Sequence, residues 1–161
     1  MTVKLCKLAL IMTFLVVTLG ALTRLLDAGL GCPDWPGCYG QLMPPNSVEF
    51  TGTTFIDEGK AWMEMIHRYV AAALGIIILL VAIKIERNKN VNHKIRWLSR
   101  SLLLLVIIQG LFGMLTVVMK LLPQVVTLHL LSGMLLLALL FLLLLQLTAV
   151  KPVQTSTKLR P

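Results

Sequence analysis

Apolar residues run along this chain in four long blocks, at about 5–26, 62–85, 97–119 and 125–150. Each block reaches or passes the ~20 residues needed to cross ~30 Å of hydrocarbon. A backbone in lipid must satisfy its own hydrogen bonds, so the blocks predict helices. None shows the period-two alternation of a barrel strand. The pattern therefore predicts an all-α integral membrane protein, a four-transmembrane-helix bundle forming a single membrane domain over residues 1–161. A long outer loop, 27–61, joins the first two helices, and a tail follows at 151–161. The loop is crowded with Pro and Gly, which favours turns over helix. Its aromatic and cysteine content favours an ordered cap.

Composition agrees. Hydrophobic residues make up 57% of the chain and charged residues 14%, against roughly 25% charged in a soluble domain. The formal net charge of +8 raises nucleic acid as a partner. Most basic residues, however, sit in short stretches beside the apolar blocks, as membrane topology requires. The expected partner is the lipid bilayer, with no nucleic acid. Lys4 and Lys7 precede the first helix; Lys84, Arg87, Lys89, Lys94, Arg96 and Arg100 flank the central connection; Lys151, Lys158 and Arg160 lie in the tail. The positive-inside rule places both termini in the cytoplasm, and the expected location is the cell's inner (plasma) membrane. The first block follows two lysines, as a signal peptide would. It outruns the ~7–15 apolar residues of such a peptide and lacks an A-x-A site after Gly20, so an uncleaved span is expected.

Helices one and three share a short pattern, Gly20-Ala-Leu-Thr23 and Gly113-Met-Leu-Thr116. Helices two and four each carry a histidine, His67 and His129, within about two turns of the outer end. Two explanations stay open: one helical hairpin used twice, or the ordinary abundance of glycine in membrane helices.

Ionisable groups inside a membrane helix are costly and usually functional. His67 lies five residues past Trp62, about 7–8 Å along the axis, and His129 lies four past Val125. The two imidazoles thus fall at similar depth. If helices two and four face each other, the rings point at one another across a gap suited to a planar metal macrocycle. Haem iron takes neutral imidazole as an axial ligand. A zinc site would need further ligands, and a simple interhelical hydrogen bond is the plainer alternative. Glu64 precedes His67 by three residues and shares its helix face. It could exchange protons at a haem edge, or simply complement the helix dipole. Arg24 and Arg68 could pair with haem propionates or snorkel toward headgroups. Cys32 and Cys38 lie six apart in an exported loop, where a disulfide is the natural state. Such a bond could be a structural strap or a redox partner.

Four stretches, in order, resemble the haem A synthase family: Leu22-Thr-Arg-Leu-Leu-Asp-Ala-Gly-Leu-Gly-Cys-Pro-Asp-Trp-Pro-Gly-Cys-Tyr-Gly, Glu64-Met-Ile-His67-Arg68, Gln109-Gly-Leu-Phe-Gly-Met-Leu-Thr-Val, and Val125-Val-Thr-Leu-His129. The resemblance covers the N-terminal four-helix half of that family. It implies an oxidoreductase acting on a CH group, converting a methyl of haem O to the formyl of haem A for cytochrome oxidase biogenesis. It also implies that His67 and His129 are axial ligands, that Glu64 handles protons, and that Cys32 and Cys38 match a cysteine pair of bacterial members. Haem O is the expected substrate, with haem B as an alternative occupant. The family's second half is absent from this sequence, so a homodimer or a second half-synthase chain is expected to complete the enzyme. Haem O synthase and cytochrome oxidase assembly factors are the further partners implied. The competing reading is a non-enzymatic bis-histidine haem protein for electron transfer or haem delivery. A structural membrane subunit without haem is the third.

Overall fold

The computed structural model describes residues 1–45 and 57–149. Four helices follow in order: α1 (Thr2–Leu25), α2 (Glu58–Arg87), α3 (His93–Val118) and α4 (Pro123–Ala149). Each is long and apolar enough to cross a membrane. Their ends reach beyond the apolar blocks because polar caps extend them. Asp57 accepts from the Lys60 amide at 3.1 Å and starts α2 one turn early. Asn92 accepts from the Lys94 amide at 3.2 Å and starts α3. Pro123 opens α4, where its missing N–H costs nothing. The tail beyond 150 lies outside the described residues, as does part of the 27–61 loop.

The helices form a square. α1 packs on α2 and α4, and α3 packs on the same two. α2 and α4 have no close backbone approach and lie across the diagonal. Neighbouring axes in a bundle lie ~8–10 Å apart, so diagonal axes lie roughly 11–14 Å apart. The apolar core fills the half of the bundle away from the loop, around Cys6, Ala9, Ile78, Ile85, Leu102, Leu140 and Leu143. Large apolar side chains also cover the outside, among them Ile11, Phe14, Leu104 and Leu131. Helices apolar on every side need lipid around them.

The repeat is real in the fold. The Thr23 hydroxyl donates to the Gly20 carbonyl at 2.8 Å, and Thr116 to Gly113 at 2.7 Å. Both helices then end in the same Schellman cap. The Ala28 amide donates to the Thr23 carbonyl, and the Leu121 amide to that of Thr116, each at 2.8 Å. Asp27 and Lys120 take the left-handed position, with φ of 50° and 49°. The buried positions match as well: Leu74, Ile78 and Val81 follow His67 at the spacings by which Leu136, Leu140 and Leu143 follow His129. The chain is a hairpin used twice, with a pseudo-twofold relation exchanging α1 with α3 and α2 with α4.

Candidate functional site

That pseudo-symmetry sets His67 and His129 at equivalent positions on the diagonal helices. Small residues make room for each ring. A Cβ added to Gly20 of α1 would lie 3.1 Å from the His67 ring, and one on Gly113 of α3 would lie 3.5 Å from that of His129. Nδ1 of each ring is buried and has no hydrogen-bond partner. Buried polar atoms without partners are rare and usually functional. The sequence expectation placed α2 and α4 face to face; they lie across the diagonal of the bundle, each flanked by α1 and α3.

A second cluster sits directly above, where the loop meets α2. Cys32 and Cys38 form a disulfide with Cα atoms 4.8 Å apart. Both are fully buried with Ala61 and Met65, and Tyr39 packs alongside. The loop closes on a two-residue turn: Cys38 and Gln41 exchange backbone hydrogen bonds at 2.8 and 3.1 Å. Tyr39 and Gly40 carry the two positive φ values, 53° and 76°, that such a turn demands. The Asp34 carboxylate accepts from the amides of both, at 2.6 and 2.8 Å.

Glu64 and Arg68 latch this cap onto α2. They form an ion pair one turn apart, with side chains 7% and 13% exposed. The other Glu64 oxygen accepts from the Cys32 amide at 2.9 Å. Arg68 Nη1 donates to the Gly37 carbonyl at 2.6 Å, the Asp34 carbonyl at 3.0 Å and the Pro36 carbonyl at 3.3 Å. Tyr69 adds a hydrogen bond from its hydroxyl to the Leu42 carbonyl. Gly31 completes the seam: a Cβ there would come within 2.5–2.6 Å of the Lys60 and Ala61 backbone. Gly31→Ala should therefore push the loop off α2 at about 1–3 kcal/mol, the usual range for overpacking. Thermal unfolding in detergent reads this, with Gly75→Ala, where an added methyl meets nothing within 4 Å, as the unaffected control.

The structure thus joins Glu64, Arg68, Cys32 and Cys38 in one cluster and sets His67 and His129 below it. Arg24 stands apart, exposed at the end of α1. Two residues with functional contacts went unassigned in the sequence. Asp34 organises the turn, and its only signal was an acid five positions before a Tyr-Gly pair. Gln109 touches the His129 backbone, and its signal was a lone amide inside an apolar block.

Residues 4–161 match COX15-CtaA, described as a cytochrome oxidase assembly protein. This chain belongs to the COX15-CtaA family. Similar members are named "Heme A synthase". The one from Shewanella oneidensis is 44% identical over 146 residues, covering 86% of this chain and 43% of its own length. That from Lysinibacillus sphaericus is 33% identical over 124 residues, covering 74% of this chain and 36% of its own. That from Rhizobium etli is 25% identical over 122 residues, covering 65% and 33%. The chain spans less than half the length of these curated relatives. As a COX15-CtaA member with four spanning helices it is a multi-pass membrane protein.

The donor set at the centre fits a haem. Two imidazoles on opposite sides of the bundle axis could each give iron one ring nitrogen, and the buried Nδ1 atoms, which no protein group uses, mark both rings as still lacking a partner. Among the described residues, no group of three or more His, Cys, Asp or Glu gathers as a bare-ion site would need.

Proposed function

We propose that this chain binds haem O between His67 and His129 and takes part in oxidising one ring methyl to the formyl group of haem A. The observation that carries this reading is the pair of symmetry-related imidazoles, each with an orphaned buried nitrogen. Haem iron is a natural partner for neutral imidazole nitrogen. The names of the relatives support the same substrate. Haem B would meet the same iron environment.

Oxidising a methyl to a formyl group takes its oxygen from water and releases four protons and four electrons. Glu64, one turn from His67 on α2, is our candidate for taking up a proton. Arg68, bonded to Glu64 and to three loop carbonyls, holds that carboxylate and the cap together, and this role suits it better than pairing with a propionate. Arg24, exposed at the end of α1, keeps its guanidinium for a propionate at the surface. The disulfide serves as a strap for the cap. A second copy, or a further four-helix unit, would complete the enzyme and receive the electrons. Haem O synthase and oxidase assembly factors are the partners that such a role implies. Both termini face the cytoplasm in this reading, with the cap outside the inner membrane.

One observation favours a second reading, a non-enzymatic haem protein for electron transfer or delivery. Both Glu64 oxygens are already engaged, by the Cys32 amide and Arg68. The test is to supply haem O to membranes carrying this chain and extract the pigments. Hydroxylated or formyl haem is expected. Bound haem O that emerges unchanged, with a second half also supplied, would leave only the second reading. Glu64→Gln should stop the oxidation while leaving the haem spectrum in place; unchanged product would remove Glu64 from the chemistry.

A further inference from the structure

The apolar face of α3 carries one amide that the reading above does not use. Gln109 Nε2 donates to the His129 backbone carbonyl at 3.1 Å. It also rests on Gly133, where an added Cβ would lie 2.8 Å away. Its Oε1 is buried and has no partner. One turn along α3, Gly113 receives the His129 ring, whose Nδ1 is likewise buried and unpartnered. Ring and amide therefore cross at a single α3–α4 contact, each seated on the other helix's glycine. The bond to the carbonyl fixes which end of the amide is nitrogen, because a flip would set oxygen against oxygen. One side chain holds a spare acceptor. The other, once one ring nitrogen binds a metal, holds a donor that needs one.

We infer that Gln109 is the positioning residue for His129, its Oε1 accepting from the imidazole N–H that haem iron leaves free while Nε2 stays anchored on the His129 carbonyl. This rests on the haem reading above. The pseudo-symmetry shows that the arrangement is one-sided. The position equivalent to Gln109 on α1 is Val16, and Gly133 of α4 is matched by Ala71 of α2. The His67 ring rests on Gly20 of α1. The two histidines therefore differ: only His129 has an amide side chain anchored on its own residue.

The test compares the full wild-type chain with Gln109→Val and Gln109→Glu, each purified and titrated with haem. Gln109→Val should lower haem affinity about 10–100-fold, the usual effect of removing a residue that supports a metal ligand. It should also raise the midpoint potential, because the less basic imidazole favours ferrous iron. A tenfold change in relative affinity for the two oxidation states corresponds to about 59 mV for one electron. Gln109→Glu, which keeps an acceptor but loses the donor to the His129 carbonyl, should keep part of the haem affinity and lower the potential instead. Equal affinity, absorption spectrum and potential across all three proteins would overturn the inference. So would a potential that Gln109→Val and Gln109→Glu shift in the same direction, which marks packing rather than hydrogen bonding. Wild type that takes up no haem would overturn the haem reading itself.

Discussion

Arg68→Ala should open the disulfide-strapped cap at a cost of about 3–5 kcal/mol, the range for stranding one member of a buried ion pair. Four groups lose their donor at once: the Glu64 carboxylate and the carbonyls of Asp34, Pro36 and Gly37. The carboxylate matters most, because the Glu64 side chain is only 7% exposed and keeps just the Cys32 amide. Arg68→Lys should recover part of the loss; lysine restores the charge but lacks the planar fork that reaches carboxylate and carbonyls together. Adding Glu64→Gln to Arg68→Ala should also recover part, since the stranded charge goes with it. Amide hydrogen exchange at Cys32, Tyr39 and Gly40 reads the opening directly. Wild-type protection at those amides in Arg68→Ala would mean that the cap is held by something other than this latch.

Replacing both histidines should leave a folded protein with no haem. His67→Ala and His129→Ala should each lower haem occupancy by more than the roughly 10–100-fold expected for a supporting residue. Each single variant should leave a five-coordinate spectrum, and the double variant should be colourless. The apoprotein should stay folded. Neither Nδ1 makes a hydrogen bond, so removing the ring deletes an unsatisfied buried group, and that relief offsets part of the cost of the cavity left behind. This separates a ligand from a structural histidine, whose loss would lower the unfolding temperature. Six-coordinate haem persisting in His67→Ala would exclude that side chain as an axial ligand.

Much of this architecture was legible in the sequence because lipid imposes a simple rule. A block of some twenty apolar residues in a bilayer has one way to satisfy its backbone, so the four helices followed directly. The depth of His67 and His129 followed as well, from a fixed rise per residue. Lateral arrangement did not follow. Nothing in the apolar pattern distinguishes neighbouring from diagonal helices, because every face of every helix is apolar. The cap latch was equally hidden, since the Glu64–Cys32 and Arg68–Gly37 bonds join residues 32 and 31 positions apart. Glu64 and Arg68 were visible as unusual residues, but their partners are backbone groups, which carry no sequence signal. The ends of α2 and α3 were misjudged for a local reason: Asp57 and Asn92 add polar turns that hydropathy ignores.

Because the two hairpins share one plan, this chain contains its own reference experiment. A helical residue in the first hairpin has a counterpart in comparable surroundings in the second. Where twins agree, as Thr23 and Thr116 do, selection kept what the scaffold requires. Where they part, as at Val16 and Gln109 or at the cap that only the first hairpin bears, the difference records what each half was specialised to do. Exchanging such twins, one pair at a time, would sort inherited framework from acquired chemistry without recourse to a second protein.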